Sequence, residues 1–224
     1  MKPRILVSLE MLPRISSVVP GLDDLDIAYA CAKAGADGLI VGLPSENSNR
    51  ESLTRFDRPG LPLLCVHAPL HQMDALSALG SAPDRFLITD DGRPCAKLDA
   101  VADLQERIAG THQETAVLIQ PEPQMIKLAA RTRVEWVAFS SEILQKAETR
   151  VEAEQELARL TSASILCSRN NLRVMIYGSM DRHLAPSLAR LEGIEELAPT
   201  ATIWSLAMRH GWEHAIESFY RWLN

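Results

Sequence analysis

The chain has 224 residues, a net charge of −6 and four cysteines. That length is enough for one sizeable core, so a single domain over residues 1–224 is expected. The acidic balance and the lack of a dense Lys/Arg run argue against nucleic acid as a partner and leave a small metabolite as the default.

Chain order begins with "MKPRILVSLE", a basic start whose apolar run is short and leads to an acid, so neither a signal peptide nor a membrane anchor is expected. A cytoplasmic chain follows from that reading. The cysteines (Cys31, Cys65, Cys95 and Cys167) lack CxxC spacing and read as reduced, partly buried thiols, without a disulfide or a thiolate metal site.

Eight short apolar runs recur: 4–10, 38–43, 62–68, 85–90, 115–121, 135–141, 172–178 and 193–199. Helical periodicity fills the intervals at 23–34, 70–79, 97–109, 122–131, 142–168, 181–191 and 203–223. Asp23 and Asp24 supply a cap and a first-turn acid to the first of these helices. The polar interval 47–57 has little periodicity and reads as a short helix or a loop. Alternating buried strands and covering helices predict a (β/α)8 TIM barrel, with a doubly wound open sheet as the alternative because periodicity alone does not show closure.

In such a barrel the working residues stand at the C-terminal ends of strands and in the loops that follow. Glu10 stands after the first strand, where a partly desolvated mouth would tune its carboxyl for proton transfer; the plainer reading pairs it with Arg14 or a neighbouring lysine. His67 lies in the third run, and period-two alternation turns either Val66 or His67 inward but not both. Asp90 and Asp91, in "TDDGRP", suit holding a cation or orienting a substrate hydroxyl, but the string is a good turn by composition and the turn is the favoured reading. His210 and His214 stand four apart on an outer helix without a third ligand, so a surface or packing role is expected and no metal site is assigned. Thr200 and Thr202 open the last helix, where free N–H groups and hydroxyls bind a phosphate or one threonine simply caps the helix. The aromatic tail (Trp204, Trp212, Phe219, Tyr220 and Trp222) suits packing on the barrel or a subunit interface.

Three segments, "AGADGLIVGL" (34–43), "LIQPEP" (118–123) and "GIEELAPTATI" (193–203), follow the order and spacing of matching segments in another set of proteins. On these the chain resembles the pyridoxine 5'-phosphate synthase family. The resemblance implies a TIM barrel, a homo-oligomer and no metal or organic cofactor. It also implies a reaction that joins a deoxyxylulose phosphate to an aminoacetone phosphate and closes a pyridine ring.

Position by position, the family's chemical residues are mostly absent. The first strand should end in an Asn and an Asp-His pair, and "SLEM" keeps the hydroxyl of Ser8 and the acid of Glu10 but has Met11 for the imidazole. The phosphate-binding arginine of the next loop is unmatched in register, although Arg14 is nearby. A histidine and an arginine after the second strand become Gly42 and Pro44. The third-strand glutamate becomes Val66, beside His67. A sixth-strand Glu-Leu-His-Thr-Gly stretch corresponds to "VAFSS", and Gly178 stands where a seventh-strand histidine is expected. The eighth-strand Gly-His-Ser phosphate cradle becomes Thr200, Ala201 and Thr202.

The resemblance therefore predicts a divergent relative that binds a small phosphorylated metabolite through Ser8, Arg14, Ser179, Thr200 and Thr202. Its ring closure is expected to be lost or altered, and Glu10 and His67 are the catalytic candidates. The competing readings are an unrelated phosphate-binding barrel enzyme of lyase, isomerase or aldol type, and a non-catalytic oligomeric binding protein. Neither a membrane nor a nucleic acid is expected as a partner.

Overall fold

The computed structural model describes residues 2–12, 15, 21–43, 53, 55–56, 59–76, 79 and 83–224. Eight parallel strands close into a barrel in sequence order, so the open-sheet alternative is excluded. They are β1 (Arg4–Ser8), β2 (Gly38–Gly42), β3 (Leu63–Pro69), β4 (Arg85–Thr89), β5 (Glu114–Leu118), β6 (Trp136–Ser140), β7 (Arg173–Gly178) and β8 (Ile194–Pro199). Each coincides with one of the apolar runs, and β1 pairs with both β2 and β8 to complete the ring.

The helices are α1 (Asp24–Lys33), α2 (Met73–Leu76), α3 (Asp99–Ile108), α4 (Pro123–Arg131), α5 (Glu142–Lys146), α6 (Arg150–Arg169), α7 (Leu184–Ala189), α8 (Thr200–His210) and α9 (Trp212–Trp222). Asp23 caps α1 by accepting from the Leu25 N–H. Two helices expected to be continuous are each divided in two. The 142–168 stretch breaks before Thr149, whose hydroxyl accepts from the Glu152 N–H while the Glu152 carboxylate accepts from the Glu148 N–H. These bonds satisfy N–H groups that a new helix start leaves free, so local capping competes with continuation. The 203–223 stretch breaks at Gly211, whose φ of +82° only glycine adopts without strain. Leu53, Arg55 and Phe56 apart, the ambiguous 47–57 interval lies outside the described residues.

Period-two alternation separates two apolar layers. Leu64, Val66 and Ala68 of β3 pack outward with the helices, and Cys65 packs inward with Leu6, Ile40, Leu87, Ala116, Leu118, Ala138, Met175 and Ala198. His67 shares the parity of Cys65 and therefore faces the interior. The alternation thus settles the Val66/His67 choice in favour of His67.

The N-terminal end of the barrel is filled by ions instead of by hydrocarbon. Arg85 and Glu196 are fully buried, with Nη1 and Oε2 2.5 Å apart. Arg4 reaches Glu196 Oε1 at 2.6 Å, and Arg85 and Arg173 reach Glu114 at 2.7 and 3.1 Å. Trp136 donates its indole N–H to Glu114 at 2.8 Å, with the Arg85 and Arg173 guanidiniums each 3.9 Å from its ring centre. Such a network is costly to desolvate, and it stays ionic only because every charge has a partner. Burial nevertheless pushes the Glu196 carboxyl above its ordinary range despite Arg85 and Arg4.

Candidate active site

At the C-terminal end of the barrel lies a cleft of about 1060 Å³, lined by groups from the ends of most strands. Its floor is a closed set of hydrogen bonds around one carboxylate. Glu10 Oε1 pairs with His67 Nδ1. Glu10 Oε2 accepts from the Ser8 hydroxyl at 2.6 Å and from the Tyr177 hydroxyl at 2.9 Å. Ser8, Tyr177 and His67 all have inward parity on their strands, so the barrel's curvature brings three distant segments onto Glu10.

These contacts decide the carboxylate's charge state. Burial pushes the Glu10 carboxyl up, but hydrogen bonds from His67 and from the Ser8 and Tyr177 hydroxyls hold it below the ordinary value. A carboxylate with three donors is a stable anion and a weak base. Tyr177 is driven the opposite way: burial, and the Glu10 charge beside it, keep its phenol protonated. The tyrosine therefore keeps its proton, donates the O–H to Glu10 as a hydrogen bond and leaves its oxygen free to accept.

The second nitrogen of His67 is also engaged. Nε2 lies 2.7 Å from Thr89 Oγ1, which accepts from the Gly92 N–H at 3.0 Å. Thr89 is completely buried. With the Gly92 N–H directed at its oxygen and Glu10 facing Nδ1, the simplest consistent proton placement has Thr89 donating to Nε2 and His67 donating from Nδ1. His67 then has both nitrogens satisfied within the protein.

The other expected site residues are placed as follows. Ser8 is buried at the floor, and its backbone carbonyl accepts from the Trp204 indole at 2.7 Å. Ser179 and Thr200 line the cleft across from β4, with their hydroxyl oxygens 3.4 Å apart. Thr202 accepts from the Met180 N–H at 2.9 Å and lines a neighbouring depression with Ser205 and Arg209. It thus ties the seventh loop to α8, outside the cleft. Arg14 and Pro44 lie outside the described residues. Thr89 and Tyr177 are not among the candidates named from the sequence. Strand parity from Arg85 through Leu87 to Thr89 would have pointed to the threonine.

Other candidates resolve into structure. Asp90 and Arg93 exchange two backbone hydrogen bonds of 2.9 and 2.8 Å, so "DDGR" is the expected turn. His210 and His214 stack edge to face at 5.4 Å on exposed helix surface, and no group of three metal-ligating side chains occurs among the described residues. Trp204 and Phe219 are buried against the barrel, with Trp212 edge-on to Trp204 at 4.8 Å. Among the described residues, no helix is long and apolar enough to cross a membrane.

A sequence model described as "Pyridoxal phosphate biosynthesis protein PdxJ" matches residues 84–224. The chain belongs to the PdxJ family. Across a wider span it is 24% identical over 209 residues to the pyridoxine 5'-phosphate synthase of Synechococcus sp. (strain JA-2-3B'a(2-13)), covering 87% of this chain and 86% of that one. This membership sets aside the reading of an unrelated phosphate-binding barrel. Solved structures add the fold alone. A 4-hydroxy-2-oxoglutarate aldolase/2-deydro-3-deoxyphosphogluconate aldolase from TTHB1 is 17% identical, with a TM-score of 0.65 over 100% of this chain and 96% of that one. A tryptophan synthase alpha-subunit mutant from Pyrococcus furiosus is 14% identical, with a TM-score of 0.66 over 99% and 96%.

Within the PdxJ family this chain's departures have a spatial meaning. Gly42 lines the cleft, and a Cβ added there would meet nothing within 4 Å. The space that a larger side chain would fill is open. Val66 packs outward, so the third strand presents His67 to the cleft in place of a carboxylate.

Proposed function

We propose that this chain is a divergent PdxJ-family barrel that binds a small phosphorylated metabolite in the cleft and does not close the pyridine ring as the family does. The observation that carries this reading is the saturated floor. Glu10 is held as an anion by three donors, and His67 has a partner on each nitrogen. A general base needs a free lone pair and a tuned affinity for protons, and neither member of this pair has both. Further support comes from Gly42 and Gly178, which line the cleft where the resemblance implies histidines. General acid and base groups each contribute about a hundredfold or more, so losing several together removes the activity.

Phosphate binding is proposed at Ser179 and Thr200. Thr200 is the first residue of α8, whose free N–H groups and positive dipole end favour an anion there. The test has two arms. Purified protein given the two family substrates is expected to form no pyridoxine 5'-phosphate above background, and a normal rate would overturn that half. Calorimetry with glucitol 6-phosphate is expected to show saturable binding, weakened by a Ser179→Ala, Thr200→Val double substitution; no binding to the wild type would overturn the other half.

A further inference from the structure

The polar hydrogens of the groups around Glu10 are all directed into the protein. Ser8 and Tyr177 donate their hydroxyls to Glu10 Oε2 at 2.6 and 2.9 Å, and His67 faces Oε1 with Nδ1. The other imidazole nitrogen meets Thr89, so either placement of the ring proton leaves His67 with nothing to donate to a ligand. Thr89 is completely buried and the Gly92 N–H is directed at its oxygen, so neither offers a hydrogen to the cleft.

What this floor presents is acceptor capacity. A carboxylate has about four lone-pair positions, of which His67, Ser8 and Tyr177 occupy three, and a phenol that donates keeps its oxygen as an acceptor. Both groups line the cleft, and the Glu10 side chain is 18% exposed. Among the described residues of the cleft, the hydroxyls outside this set are those of Ser140, Ser179 and Thr200, at the end of β6, after β7 and at the start of α8. Glu10 and Tyr177 therefore meet a ligand as acceptors alone.

A ligand atom resting on this pair has to bring its own hydrogen. A carbonyl oxygen there would face an anion and a phenol lone pair, and turning the Tyr177 hydroxyl toward it would strip Glu10 of a donor. We infer that the floor selects an alcohol over the corresponding ketone: the phosphorylated ligand carries a hydroxyl near its phosphate, and that hydroxyl donates to Glu10 or to the Tyr177 oxygen. Ser179 stands two residues beyond Tyr177, so their Cα atoms are at most about 7 Å apart. The short O–C–C–O link between a phosphoryl group and a neighbouring hydroxyl suits that gap. A site that pairs with a ligand hydroxyl rejects the analogue lacking it, because its own polar groups are then left unpaired.

This inference rests on the proposed phosphate site, and the choice of probes separates the two. Propanediol 1-phosphate and hydroxyacetone phosphate share a carbon chain and a phosphate and differ at one carbon, hydroxyl against carbonyl. Calorimetry is expected to show wild-type preference for the alcohol of about tenfold or more, the worth of one good hydrogen bond. Glu10→Gln supplies an amide N–H where the wild type has only acceptors and should bring the two affinities together. Tyr177→Phe removes one acceptor but keeps the carboxylate and should retain part of the preference, with circular dichroism confirming the fold of both variants. Equal wild-type affinities, or a preference unchanged in Glu10→Gln, would overturn the selection and leave the phosphate site standing. So would binding of glucitol 6-phosphate without binding of either shorter probe. Failure of glucitol 6-phosphate to bind the wild type would remove the phosphate site and this inference together.

Discussion

Replacing Thr89 with valine removes one buried oxygen and little volume, so its consequences can be worked out bond by bond. His67 Nε2 loses its partner at 2.7 Å, and the His67 side chain is only 15% exposed. Leaving such a group unsatisfied costs about 1–3 kcal/mol. Gly92 is exposed and its N–H regains water, so that loss adds little. The added methyl returns about 0.8 kcal/mol. The net expectation is a loss of about 0.2–2 kcal/mol, or a fall in Tm of up to about 8 °C for a chain of this size. Urea unfolding followed by circular dichroism measures the first quantity. Nitrogen NMR of the His67 ring measures a second that stability alone does not move: the proton should reside on Nδ1 in the wild type and in Thr89→Ser, and lose that fixed position in Thr89→Val. An unchanged ring spectrum in Thr89→Val, or a wild-type proton on Nε2 alone, would refute the placement of the hydroxyl hydrogen.

Two further outcomes follow from the ionic groups. Arg85→Met strands Glu196 and part of Glu114 in a dry barrel end and should cost about 3–5 kcal/mol, with Arg85→Met/Glu196→Leu recovering a share because both buried charges are gone; chemical denaturation showing less than about 1 kcal/mol for the single change would count against the ionic plug. The two carboxylates should respond oppositely to pH. Glu10 is held below the ordinary value of 4.5, so its stabilisation is present above that value and is lost as pH falls through its lowered folded one. Glu196 is raised above 4.5, so its contribution is present below that value and is lost as pH rises through its raised folded one. Unfolding measured at a series of pH values should show less acid sensitivity in Glu10→Gln and less loss toward neutral pH in Glu196→Gln; the reverse pattern would refute both assignments.

The site was partly legible beforehand. Glu10 and His67 could be named because a polar residue at the end of an apolar strand falls at the barrel mouth. Their partnership could not, since 57 positions of chain separate them. Tyr177 is separated from Glu10 by 167 positions, and only closure of the ring brings it to the same carboxylate. Thr202 shows the opposite failure: a hydroxyl well placed in sequence for an anion is already occupied by the Met180 N–H.

By itself the sequence determined the alternation of eight strands and eight intervals, because burial on both faces of a parallel sheet writes each strand as a short apolar run. It also determined the inherited likeness and the places where expected imidazoles and carboxylates are missing. The tertiary structure alone decided that the sheet closes, that His67 and not Val66 faces inward, and that Tyr177 meets Glu10. Those outcomes depend on which distant groups meet, and a hydrogen bond or ion pair is a property of two positions in space that neither position carries in its own residue type.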